Sequence, residues 1–182
     1  MGYNKYNGRK MALGGIMAAV SIVLMLLSAV VPTMSYGLPA LCGVLTTLVV
    51  IECGDRTALL MYGAVSILSL LLLPAKESAV VYLLVFGWYP VAKRRIESIN
   101  KPVLEWGLKL AAVAIPVAVG SAVAIAMFGL EALFGEDIAG WMIPLLYIAA
   151  AAVFVVYDIA LTRLISAYLN AIRPKILPRW FR

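Results

Sequence analysis

Apolar residues in this chain come in long uninterrupted runs, not in the stripes of a water-soluble fold. Met11 to Val31 carries no charge over 21 positions, and Leu110 to Leu130 repeats this. About 20 apolar residues is the length a helix needs to cross a ~30 Å hydrocarbon core. Polar clusters and prolines divide the rest. The pattern predicts spans over 11–31, 38–51, 57–73, 78–92, 104–130 and 138–167. The expected fold is all-α: a polytopic membrane protein, one domain over 1–182, built as a compact bundle of six transmembrane helices. Span 78–92 reaches only ~22 Å as a helix, so it needs neighbours, a thinned bilayer or its flanks.

The connections have their own chemistry. Pro32 ends the first span, and an uncharged loop runs to Pro39. Glu52 to Arg56 reads as a solvated turn in which Gly54 supplies a left-handed cap. Lys93 to Pro102 is a basic connector. It is expected to form an amphipathic turn or short helix with Ile96 and Ile99 toward the membrane. Glu131 to Asp137 is an acidic loop, and the tail from Arg173 to Arg182 is basic and aromatic, suited to an anionic leaflet.

Composition supports lipid as the solvent. Hydrophobic residues make up 64% and charged residues 13%, against ~45–50% and ~25% for soluble domains. The net charge of +6 does not point to nucleic acid, because the basic residues flank the apolar runs. Of 15 Lys and Arg, the six-span threading leaves only Lys76 outside, as the positive-inside rule requires. Both termini are then cytoplasmic and the location is the cell membrane. The first apolar run is too long for a cleavable signal core of ~7–15 residues. Tyr6 stands where N-myristoylation wants Ser or Thr. Trp88, Tyr89 and Trp106 fall near the inner interface, Tyr36 and Trp141 near the outer one.

The chain has no histidine, which removes the commonest general base and metal ligand. No metal site, cofactor or catalytic residue is expected. Ser69, Ser121 and Asp158 lack a nucleophile–base spacing, so the chain does not read as an enzyme. No phosphate loop of the GxxxxGK[ST] type is present. Cys42 and Cys53 lie ~16 Å apart if they share one helix, too far for a disulfide. They read as small packers.

Helices in lipid associate through close backbone approach, and small residues permit it. The first span offers Gly14/Ala18 and Gly15/Ala19 at four-residue spacing. The fifth offers Ala114, Ala118, Ala122 and Ala126, a pattern common in ordinary packing. A basic N-terminus leading into an Ala- and Gly-rich first helix, a proline-containing outer loop and six helices resemble the S component of energy-coupling factor (ECF) transporters. The resemblance covers most of the chain in topology and only the first span in motif. It implies capture of a small molecule at the outer face. It also implies docking through Gly14, Gly15, Ala18 and Ala19 on a transmembrane coupling subunit with ATPases. Gly replaces Ala at one position of that family's Ala-x-x-x-Ala motif. The missing histidine argues against its nickel and cobalt branch.

Two polar sets remain. Tyr36, Lys76, Trp141 and Tyr147 share the outer side and could bind a ligand, Lys76 addressing an anionic group; an ordinary interfacial belt explains them as well. Asp158 lies ~15 Å inside the sixth span, where a lone charge is costly. Lys109 enters from the same side. Their pair would pin the bundle, or Asp158 would relay protons or couple to a partner. Glu105 competes for Lys109 at four-residue spacing. The alternative to capture is a scaffold resembling rod-shape-determining protein D, which organises partner proteins without transport.

Overall fold

A computed structural model describes residues 2–74, 76–99, 101–128 and 142–172. Among these, the regular elements are all helical. They are α1 (Gly2–Val30), a short 3-10 turn (Pro32–Met34), α2 (Gly37–Cys53), α3 (Asp55–Leu72) and α4 (Lys76–Val81). After a π-helical segment (Tyr82–Phe86) come α5 (Tyr89–Glu97), α6 (Pro102–Phe128) and α7 (Met142–Ala167), the last ending in a π turn (Tyr168–Ile172). The chain forms two compact units, Met1–Ser121 and Ala122–Arg182.

Among the described residues, four helices are long and apolar enough to cross a membrane: Gly8–Val30, Asp55–Leu72, Val103–Ala122 and Tyr147–Ala171. α2 is apolar but has 17 residues, ~26 Å of rise. The segment expected as one helix over 78–92 is not continuous. α4 widens into the π segment, a turn follows at Gly87–Trp88, and α5 carries on through Lys93, Arg94 and Arg95 to Glu97. The basic triplet is therefore part of a helix that begins inside the apolar run.

Local chemistry explains the boundaries. Pro32 stands two residues beyond the end of α1 and opens the 3-10 turn. Gly54 has φ +90°, a conformation that costs glycine little. Its N–H reaches the carbonyls of Val49 and Val50 at 3.2 Å each, so α2 closes on one residue and α3 starts at Asp55. Pro74 stops α3 and forces Leu73 into an extended conformation (ψ 132°). Pro102 opens α6, where its missing N–H costs nothing. Pro116 lies inside α6, a position membrane helices tolerate.

The core of the first unit lies among α1, α2, α3 and α4. The two cysteines fix the α1–α2 register. Cys42 Sγ donates to the Ser21 carbonyl (3.4 Å) and Cys53 Sγ to that of Lys10 (3.5 Å). Both intervals span eleven residues in opposite directions, so the two helices run antiparallel in close contact along that length. The thiols are small packers between two backbones, and both are free.

Candidate functional site

The π segment has an identifiable cause. Pro90 has no N–H for the carbonyl four residues back, at Phe86, and its ring crowds that position. The helix widens instead, and Gly87 N–H bonds the Tyr82 carbonyl five residues back at 2.8 Å. Side chains meet other carbonyls of the segment. The Tyr62 hydroxyl donates to the Leu83 carbonyl (3.0 Å) and Trp88 Nε1 to that of Leu84 (2.9 Å). A Cβ at Gly87 would strike the Tyr62 ring, so only glycine lets α3 approach this closely. π segments are rare and concentrate at functional places.

Around this break the interior of the first unit is rich in hydroxyls. Ser21, Ser28, Thr46, Thr47, Ser66, Ser69, Ser78 and Tyr82 are all buried. Thr46 bonds its own helix at Cys42 (3.0 Å) and meets the Tyr82 hydroxyl at 3.3 Å. The Tyr62 and Tyr82 rings lie 6.1 Å apart between centroids.

A second polar cluster joins α5 to α6. Lys93 and Lys109 converge on Glu97 Oε1, at 2.7 and 2.8 Å. Lys109 also reaches Glu105 at 2.9 Å, the pair its spacing predicts, and stands 5.4 Å from the Trp106 ring centroid. Both lysine side chains are almost fully buried, at 2% and 4% exposure. Two ammonium groups that share one carboxylate oxygen repel each other, and the carboxylates of Glu97 and Glu105 offset that repulsion. Nearby, Asp55 accepts from Arg94 (2.9 Å) and Arg95 (3.4 Å). Asp55, expected only as a residue of a solvated turn, thus also links α5 to the start of α3 through exposed ion pairs.

The residues singled out in the sequence are distributed as follows. Gly14 is buried, and a Cβ there would lie 2.9 Å from the Thr57 methyl of α3; Ala18 is half-buried beside it. Gly15 and Ala19 are exposed, with open space at Gly15. The two small pairs of α1 therefore face different ways. Tyr36 is exposed. Lys76 caps α3, its Nζ donating to the Leu70 and Leu73 carbonyls at 2.6 Å each, a good use of a cation at a helix C-terminus. Trp141 lies outside the described residues. Tyr147, exposed, and Asp158, buried, belong to the second unit. Tyr89, expected in the interfacial belt, is fully buried. Sequence reasoning passed over Lys93 and Glu97, although their four-residue spacing was available as a signal.

No family model, curated protein or solved structure matches this chain.

Proposed function

We propose that the protein is a membrane-embedded transport module that captures a small molecule from outside and docks on an ATP-driven partner complex. In this reading six segments cross the cell membrane. α2 and the broken α4–α5 segment complete the set with the four long helices, and both termini are cytoplasmic. The charge asymmetry of the loops supports that orientation. ATP hydrolysis is assigned to partners because no nucleotide-binding loop occurs in the sequence.

The observation that carries this reading is the division of small residues on α1. Gly14 is filled by Thr57, while Gly15 and Ala19 stay open on the neighbouring face, about 100° around the helix. Two small exposed residues one turn apart let a second helix approach closely in lipid. A docking face and an internal packing face thus coexist on one helix.

Affinity purification from native membranes tests it. An ATPase should come down with the wild type. Gly15→Leu with Ala19→Leu should reduce its recovery at least tenfold while the melting temperature stays within ~2 °C. Gly14→Leu should lower the melting temperature instead, because Thr57 blocks the larger side chain. Partner recovery unchanged by the Gly15/Ala19 pair refutes the docking face. Recovery of membrane-organising proteins without any ATPase selects the scaffold reading.

A further inference from the structure

The end of the first unit where α3 begins carries an arginine cluster that leads onto an exposed apolar face. Asp55 Oδ1 accepts from Arg94 Nη1 (2.9 Å) and Asp55 Oδ2 from Arg95 Nε (3.4 Å). Arg56, exposed, is the next residue along α3. Three arginines thus share the neighbourhood of one carboxylate and leave a surplus of positive charge. Glu52, the other acid at this level, is outnumbered by Arg9 and Lys10 of α1, which Cys53 brings alongside through the Lys10 carbonyl. The ion pairs to Asp55 use few of the five N–H groups that a guanidinium owns. The Arg94 and Arg95 side chains remain 58% and 69% exposed. Asp55 therefore orients two arginines and leaves donors on both for an anion.

From Arg56 a single face of α3 runs into the apolar span. Leu60, Ile67 and Leu71 follow Arg56 at helical spacing, and all are exposed. α3 is long and apolar enough to cross a membrane, so what covers this face is an acyl chain or another membrane helix. Gly63 lies on the same face, in open space. Helix pairs in lipid approach through small residues at four-residue spacing. Here Leu60 and Ile67 stand on either side of Gly63 and hold a second backbone away, whereas a thin flexible chain fits the relief. The rise from Arg56 to Ile67 is ~16 Å, close to half of a ~30 Å hydrocarbon core. That is the depth one leaflet's acyl chains occupy.

We propose that this corner of the first unit binds an anionic phospholipid, its phosphate on Arg56, Arg94 and Arg95 and one acyl chain along Leu60, Gly63, Ile67 and Leu71. Arginine pairs with phosphate through two parallel N–H···O bonds, a match that lysine lacks. A zwitterionic head brings its own cation into an already positive place, so net negative charge is selected. Basic pockets beside membrane helices hold such head groups for the same reason. The inference goes beyond the capture reading and does not depend on it. It holds with four crossings or six, because α3 crosses in both.

Native mass spectrometry of the purified full chain tests it. The protein is presented in detergent with equal amounts of dioleoyl phosphatidylglycerol and dioleoyl phosphatidylcholine, which share their chains and differ in head charge. The wild type should retain mainly phosphatidylglycerol. Arg56→Gln and Arg95→Gln should each lower the ratio of the two lipids about fivefold, the scale of one basic residue near a membrane surface. Arg163→Gln removes the same charge from the second unit and should leave the ratio unchanged. Both cluster variants keep the Arg94–Asp55 pair; should Arg95→Gln fold poorly, Arg56→Gln alone decides. Equal retention of the two lipids by the wild type, or an equal loss in Arg163→Gln, overturns the site. So does displacement of the lipid by glycerol phosphate at similar concentration, because the chain then contributes nothing. A lipid-free dimer, or a co-purifying acidic protein, that Arg56→Gln releases gives the face to that occupant and overturns the lipid site too.

Discussion

Glu97 is the residue on which the first unit's buried charge depends. Its Oε1 holds Lys93 and Lys109 together, and neither lysine is solvated. Removing one partner of a buried ion pair costs ~3–5 kcal/mol. Glu97 is itself a third exposed, so Glu97→Gln should cost less, about 2 kcal/mol, read as a lower melting temperature in detergent. Glu105→Gln should cost about half as much, because Lys109 keeps Glu97. Equal losses would contradict the shared role of Glu97. The Glu105–Lys109 pair was legible from spacing alone. Glu97–Lys109 was not, because the contact depends on how the chain turns at Pro102. Lys76 shows the same limit. Its expected place at the outer side suggests a ligand, and the sequence does not show that the chain turns at Pro74 so that its Nζ reaches the end of α3.

At the scale of elements, the apolar runs located α3 and α6 to within about two residues, whereas α1 begins at Gly2, nine residues before the expected start at 11. α3 is Asp55–Leu72 where 57–73 was expected, and Gly54 caps α2 through its positive φ as anticipated. The broken helix after Lys76 was not anticipated, although both causes stand in the sequence as Gly87 and Pro90. Hydrophobicity registers length and composition, and it is blind to a missing N–H within an apolar run. The break makes the Leu83 carbonyl available to Tyr62. In the wild type, Tyr62→Phe should therefore cost about 1 kcal/mol. Pro90→Ala restores the absent donor and favours an ordinary α-helical register over Tyr82–Phe86. In that background Tyr62→Phe should cost close to nothing. A double-mutant cycle gives the answer, and additive losses would disconnect the proline from the tyrosine contact.

For the whole molecule, the central claim is that the chain crosses the bilayer six times with its positive loops inside. Among the described residues four helices meet the length and hydropathy needed; α2 and the α4–α5 segment decide between four crossings and six. With six, Glu77 lies outside and Ile99 inside. With only α1, α3, α6 and α7 crossing, both lie on the same side. Both positions are exposed, and the native Cys42 and Cys53 are buried, so single introduced thiols report cleanly. The direct measurement is labelling of Glu77→Cys and Ile99→Cys in intact cells with a membrane-impermeant maleimide. Six crossings predict that the thiol at position 77 reacts at once and the one at 99 only after permeabilisation. Protection of position 77 in intact cells, or reaction of position 99, contradicts the account.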